Sequence, residues 1–284
     1  MNKIIGINLT RRCNLNCEYC YIGKYINTES EFNNELDISI DLVKNKIEYF
    51  NIDTVYLTGG EPLLYPKLDE LIEYLYKKNI TINIATNGLL ITRKTLDIFK
   101  NKNITLLLSI REDFDKEYTF INDIIQNNIK IIIYYLPTEH NLFYLRNFFT
   151  KYPFIKDARL VYDSKNIPSA SLWFTIIKKI YNLLEFFTLN IQVEIGYLPP
   201  KHPISLSQRK GAVDRIFMDT NGLLYNCPLM VLNSTGTNNP PIAKCNVKTC
   251  PVLSKTLQRN DIYQSICCFV LTDIKTINKF IKEK

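Results

Sequence analysis

No stretch of this 284-residue chain approaches the ~18 uninterrupted apolar residues that a membrane-spanning helix needs. The short apolar run at the start is broken by Arg11 and Arg12 and leads at once to Cys13, so a cleaved secretion signal would carry that cysteine's loop away with it. The expected location is therefore cytoplasmic, without a membrane. Histidine is nearly missing: His140 and His202 are the only two, neither has a cysteine neighbour or a patterned His partner, and both read as surface residues. Tyrosine reaches 18 residues, yet no basic–aromatic stripe for stacking bases stands out, and a net charge of +7 is modest, so a nucleic-acid partner is not expected. The composition, 46% apolar and 22% charged, is that of an ordinary globular chain with room for one sizeable core and a smaller module. What the chain does have is eight cysteines, and in this compartment they point to metal rather than to disulfides.

Three of them, Cys13, Cys17 and Cys20 in RRCNLNCEYCY, stand in a Cys-x3-Cys-x2-Cys spacing directly after a β-like run. Three thiolates on one tight loop can hold three irons of a 4Fe-4S cube and leave the fourth iron open to a cofactor, whereas four-thiolate sites close the cluster for electron transfer. Zinc knuckles favour Cys-x2-Cys pairs with further Cys or His partners, which this loop lacks. A second motif, Thr58-Gly59-Gly60-Glu61-Pro62, follows the next predicted strand. Two glycines permit a close backbone approach to a ligand, and a carboxylate beside them can accept charge-assisted bonds from a ligand ammonium.

Together these motifs resemble those of the radical S-adenosylmethionine (SAM) superfamily. The resemblance implies SAM chelated on the open iron by its amino and carboxylate groups. It also implies one-electron cleavage to methionine and a 5′-deoxyadenosyl radical, with Gly59, Gly60 and Glu61 near the methionyl amino group. Tyr19 and Tyr21 flank the last loop cysteine, where the family places an aromatic near the adenine.

Through about residue 165 short β-branched runs alternate with helical patterns. Strands are expected at Ile4–Leu9, Thr54–Thr58, Ile80–Ala85, Ile104–Ile110, Ile129–Tyr135 and Ala158–Tyr162, with helices around 38–50, 67–77, 92–100, 116–127 and 141–151. Six strands alternating with helices imply a parallel sheet, and a stretch too short for a closed eight-stranded barrel implies an open one. The expected fold class is α/β, a partial (β/α)6 parallel barrel over residues 1–168, which is also the architecture the resemblance implies. Function in such sheets gathers at the C-terminal ends of strands. That rule adds Asn87 in Ala-Thr-Asn-Gly, Ser109 at the end of the fourth strand and Arg159 in the sixth. The resemblance places a Ser on the SAM ribose or carboxylate and an Arg on the carboxylate; Asn87 reads equally as a turn residue. The Gly-x-Ile-x-Gly adenine motif of some relatives is missing after the fifth strand.

Residues 169–198 read as a connecting segment: a strand after an amphipathic helix over 169–189, whose stripe is Leu172, Ile176, Ile177, Ile180, Leu183, Leu184 and Phe187, with Trp173 also in the core. From 199 to 284 the character changes to a small cysteine-rich β-hairpin/helix module. Asp219-Thr-Asn-Gly222 marks a hairpin turn, and Cys227 follows its second strand. Asp-x-x-Gly-x4-Cys-Pro is similar to the opening of the auxiliary-cluster module called SPASM, or its half-sized form, twitch. A full module uses seven cysteines; five are present, and Cys245 and Cys250 stand where a Cys-x2-Cys pair is usual. The expected ligands of a second, auxiliary 4Fe-4S cluster are Cys227, Cys245, Cys250 and one of Cys267 and Cys268, with a four-thiolate zinc site as the alternative. The remaining thiol is either a buried small hydrophobe or a hydrogen-atom donor to a substrate radical.

The leading expectation is a radical SAM enzyme that matures a ribosomally made peptide by crosslink, thioether or epimerisation. It would need a one-electron donor of flavodoxin or ferredoxin type and, since no recognition domain precedes the first strand, a separate leader-peptide-binding protein or a groove on the barrel. The alternatives are a small metabolite or nucleotide substrate in cofactor biosynthesis, and a non-catalytic iron–sulfur or zinc protein.

Overall fold

Apolar runs flanked by polar turns become strands wherever one face can be buried, and this chain repeats that pattern with helices between. The computed structural model describes residues 3–20, 22–23, 26–27, 36–111, 120–161, 170–194, 197–198, 215–225, 264–265 and 271–275. All six expected strands are present: β1 (Ile4–Thr10), β2 (Thr54–Gly59), β3 (Thr81–Thr86), β4 (Ile104–Ser109), β5 (Lys130–Tyr135) and β6 (Asp157–Leu160). Between them lie α1 (Ile40–Phe50), α2 (Leu68–Lys77), α3 (Arg93–Phe99), α4 (Ile121–Gln126) and α5 (Leu142–Lys151). The expected fold class holds: strands alternate with helices and pair mostly in parallel in an open sheet. Contacts divide the chain into two compact units, Met1–Ser109 with Asp113–Ile131 and Val213–Asn246, and Ile110–Glu112 with Ile132–Ala212 and Val247–Lys284.

In the first unit β1 to β4 run parallel in sequence order. Side chains alternate across a strand, and the two faces differ sharply. Ile5, Ile7, Val55, Leu57, Ile82, Ile84 and Leu106 share one face and are at most 1% exposed. Each such side chain contributes about 2 kcal/mol by burial. Helix α2 adds Leu68, Leu71, Ile72 and Leu75 at helical spacing, all buried. The opposite face is polar: Tyr56, Asn83 and Thr105 pair across β2, β3 and β4 in one row, and Asn8 lies opposite Thr58 in the next.

Beyond β1 the unit gains β9 (Arg215–Met218), parallel to β1, and β10 (Leu224–Tyr225), antiparallel to β9. This is the hairpin expected from Asn-Gly, and Gly222 takes φ +76° in its turn. Asp219 closes the turn from beneath: its carboxylate accepts the N–H groups of Asn221 and Leu223 at 2.9 Å and the Tyr225 hydroxyl at 2.7 Å.

In the second unit residues 132–135 of β5, then β6 and β7 (Asn190–Glu194), are parallel, and β12 (Leu271–Asp273) adds to β7 antiparallel. Two short strands, β8 (Tyr197–Leu198) and β11 (Gln264–Ser265), pair separately. Helix α6 (Ala170–Leu183) stops short of the expected residue 189. The Leu184 N–H is shared between the carbonyls of Ile180 and Tyr181, which tightens the last turn and ends the helix. Its stripe also differs from expectation: Trp173, Ile176, Ile177, Ile180 and Leu184 are buried, while Leu172 is 37% exposed. Successive helix positions differ by about 100°, so a face centred between Trp173 and Ile180 leaves Leu172 at its margin. His140 is exposed, as expected. His202 and the helical part expected before Phe120 lie outside the described residues. Among the described residues no helix is long and apolar enough to cross a membrane.

Candidate functional site

The candidate site is built from the loop after β1. Thr10 ends the strand fully buried, its hydroxyl donating to Asp37 Oδ1 at 2.6 Å and accepting the Arg12 N–H at 3.0 Å. Arg12 Nε reaches the same carboxylate at 3.0 Å, and the Arg11 N–H donates to the Leu36 carbonyl at 2.7 Å. These bonds turn the chain out of the sheet and begin the loop that carries Cys13, Cys17 and Cys20. All three thiols are partly exposed and none is in a disulfide. The Cys20 N–H bonds the Cys17 carbonyl at 3.1 Å and the Gly23 N–H bonds the Cys20 carbonyl at 3.0 Å, so the last two cysteines sit on successive tight turns.

Burial pushes the Cys13 thiol above its ordinary pKa, the Leu15 N–H pulls it back, and negative charge on Glu61, Cys17 and Cys20 raises it further. Among the described residues no three His, Cys, Asp or Glu side chains are gathered closely enough to hold a single metal ion.

Gly59 and Gly60 explain how the loop is held. The Gly60 N–H donates to the Thr10 carbonyl and the Glu61 N–H to the Arg12 carbonyl, each at 2.7 Å. A Cβ on Gly59, which has φ +128°, would overlap the Thr10 carbonyl oxygen, and one on Gly60 would overlap that of Arg12. The close approach that these glycines permit is thus to the cysteine loop itself. Glu61 is 1% exposed. Its carboxylate accepts the Thr86 hydroxyl at 2.7 Å, the Asn87 N–H at 2.9 Å and the Leu63 N–H at 3.1 Å. Burial raises its pKa and those three bonds oppose the rise.

Asn87 joins the same assembly. Its side-chain Nδ2 donates to Asn14 Oδ1 at 2.9 Å, tying the end of β3 to the loop between the first two cysteines. Its Oδ1 accepts the Leu89 N–H at 3.0 Å, the turn bond expected of an Asn before Gly88. Tyr19 is 39% exposed beside Cys20, and Ser109 is exposed at the end of β4 in the same unit. Arg159 belongs to the second unit. It donates from Nη1 to the Tyr134 hydroxyl and lies over that ring at 5.1 Å, while its Nε is buried with no hydrogen-bond partner among the described residues. Cys227, Cys245, Cys250, Cys267, Cys268 and Tyr21 lie outside the described residues. Sequence reasoning missed Thr10, Asp37, Asn14 and Asn27, whose parts are played by hydrogen bonds; only Asn14, beside Cys13, carried a positional hint.

Residues 7–133 match the family model of the radical SAM superfamily. GTP 3′,8-cyclase of Helicobacter pylori (strain HPAG1) is 34% identical over 102 residues, 34% of this chain and 30% of that protein. The antilisterial bacteriocin subtilosin biosynthesis protein AlbA of Bacillus subtilis is 30% identical over 108 residues, 37% of this chain and 23% of AlbA. The matched stretch thus spans under a third of the length of either relative. Over the whole fold, the crystal structure of Streptococcus suis SuiB bound to S-adenosylmethionine superposes with a TM-score of 0.63 at 17% identity, covering 92% of this chain and 67% of SuiB.

Proposed function

We propose that this chain, which belongs to the radical SAM superfamily through residues 7–133, holds a 4Fe-4S cluster on Cys13, Cys17 and Cys20 and cleaves SAM to modify a ribosomally made peptide. The observation that carries the reading is the loop: three thiols without disulfides, seated by backbone bonds from a Gly-Gly turn that no other residue type fits. A 4Fe-4S cluster held by Cys13, Cys17 and Cys20 would, when reduced, supply the single electron for reductive cleavage of SAM and so the radical chemistry that removes hydrogen from substrate.

The chain's own residues bind, orient and shield that chemistry. Glu61 and Asn87 hold the turn against the loop. Tyr19, Ser109 and Arg159 are assigned to the adenine, the ribose or carboxylate, and the carboxylate of SAM. The polar face of β1 to β4 offers hydrogen-bonding groups where a closed barrel packs branched apolar side chains. A second, auxiliary cluster is assigned to Cys227, Cys245, Cys250 and one of Cys267 and Cys268, the other being the candidate hydrogen-atom donor. A flavodoxin- or ferredoxin-like protein supplies the electron, and a separate protein or a groove recognises the leader peptide.

The name of AlbA, a bacteriocin biosynthesis protein, supports the peptide class. Identity to GTP 3′,8-cyclase favours a second reading, a nucleotide or small metabolite as substrate. The test is an anaerobic incubation of the iron-loaded full chain with dithionite and SAM, assayed for 5′-deoxyadenosine by mass spectrometry. Product is expected, and Cys13→Ala should abolish it. Iron-loaded protein that yields no 5′-deoxyadenosine would leave only the non-catalytic reading.

A further inference from the structure

Asn27 lies beyond Cys20 and outside the cysteine motif, yet its described bonds all reach back to the start of the loop. Its backbone N–H donates to the Arg11 carbonyl at 2.9 Å. Its side-chain Oδ1 accepts the Cys13 N–H at 3.0 Å, and its Nδ2 donates to the Cys13 carbonyl at 2.9 Å. One amide thus satisfies both backbone polar groups of a single cysteine, as a paired strand would. The geometry requires φ +53° at Asn27, a left-handed conformation that Asn tolerates better than most residues. The loop it closes carries all three thiols, and Asn87 ties it again from outside through Asn14.

We propose that Asn27 is a positioning residue for the cluster: its amide latches the loop shut and fixes the backbone of Cys13, so that its thiolate is held beside those of Cys17 and Cys20. A latch of this kind acts by removing loop conformations in which the thiolates are too far apart to share a cluster. Asp in its place would keep the acceptor for the Cys13 N–H but set an oxygen against the Cys13 carbonyl. Gly would keep the backbone conformation without strain and remove the amide entirely. The inference rests on the reading that the loop holds a cluster.

The test uses anaerobically reconstituted full chain as wild type, Asn27→Gly and Asn27→Asp, with Cys13, Cys17 and Cys20 all replaced by Ala as the baseline for iron held elsewhere. Two readouts are taken: the rate of iron transfer to a ferrous chelator, and the paramagnetic resonance spectrum of the reduced cluster. Two hydrogen bonds of ordinary net strength correspond to release about thirtyfold faster in Asn27→Gly, with Asn27→Asp between it and wild type. Circular dichroism melting of the same proteins without iron checks that the fold persists. Wild-type release and an unchanged spectrum in Asn27→Gly would overturn the latch. A triple-Ala baseline that keeps as much iron as wild type would instead overturn the cluster site, and the latch with it.

Discussion

At the scale of single residues, the cysteine loop depends on what is missing from Gly60 as much as on what is present in the cysteines. The Arg12 carbonyl that a Gly60 Cβ would strike is already fixed by the Glu61 N–H, so it cannot move aside without breaking that bond. Gly60→Ala must therefore push the whole loop away from the β2 turn. The expected cost is about 2–4 kcal/mol in urea unfolding, with loss of loop iron after reconstitution. Gly6→Ala serves as the comparison, because its Cβ would meet the edge of the Phe217 ring rather than backbone, and a side chain can rotate. It should cost less and leave iron loading intact. Equal stability of Gly60→Ala and wild type would mean that the turn and loop are not locked together as described.

At the scale of elements, the chain has only nine glycines and ends four of its helices with asparagine instead. Asn51, Asn79, Asn101 and Asn128 follow α1, α2, α3 and α4, and all take positive φ, the left-handed stop usually given to Gly. With such punctuation and with apolar runs of strand length, β1 to β6 could be read directly from sequence. The end of α6 could not, because apolar residues continue past Leu183 and a shared carbonyl bond, not composition, stops the helix. The site divides in the same way: cysteines and glycines announce themselves by spacing, whereas Asp37 and Asn27 matter through bonds to residues distant in the chain. The β9–β10 hairpin was legible from Asn-Gly, but its parallel pairing with β1 was not, since nothing local encodes a partner so far away. The hairpin also carries a pH prediction. Burial raises the Asp219 pKa, against bonds from Tyr225, Leu223 and Asn221 and the charge of Arg11. A carboxyl raised on folding adds stability that is fully present below its unfolded value, about pH 4, and is lost as pH rises through the raised folded value. Asp219→Asn has no such titration. The stability advantage of wild type over this variant should then be greatest in acid and shrink toward neutral pH, as measured by urea unfolding at stepped pH. An advantage that grows with pH would contradict the assignment.

At the scale of the whole molecule, the eight cysteines separate into the three on the β1 loop and five after residue 225. Four thiolates complete one closed cluster and leave its irons no open position, so an auxiliary site would carry electrons but could not itself chelate SAM. The arithmetic of five leaves one thiol over; as a hydrogen-atom donor it would become a thiyl radical, and its return to a thiol would take one proton and one electron, which the flavodoxin- or ferredoxin-like donor would supply through the second cluster. Replacing Cys13, Cys17 and Cys20 by Ala removes the first site and isolates the second. About four irons should remain after anaerobic reconstitution if the C-terminal cysteines hold a cube. About one zinc and no iron would make that segment a structural four-thiolate site and leave a single-cluster enzyme. If iron remains, replacing Cys267 and Cys268 one at a time in the otherwise native chain separates ligand from donor. Loss of iron marks the ligand; full iron and continued SAM cleavage with loss of product marks the donor. If neither variant loses product while keeping its iron, the fifth thiol takes no part in the reaction and is a small apolar side chain.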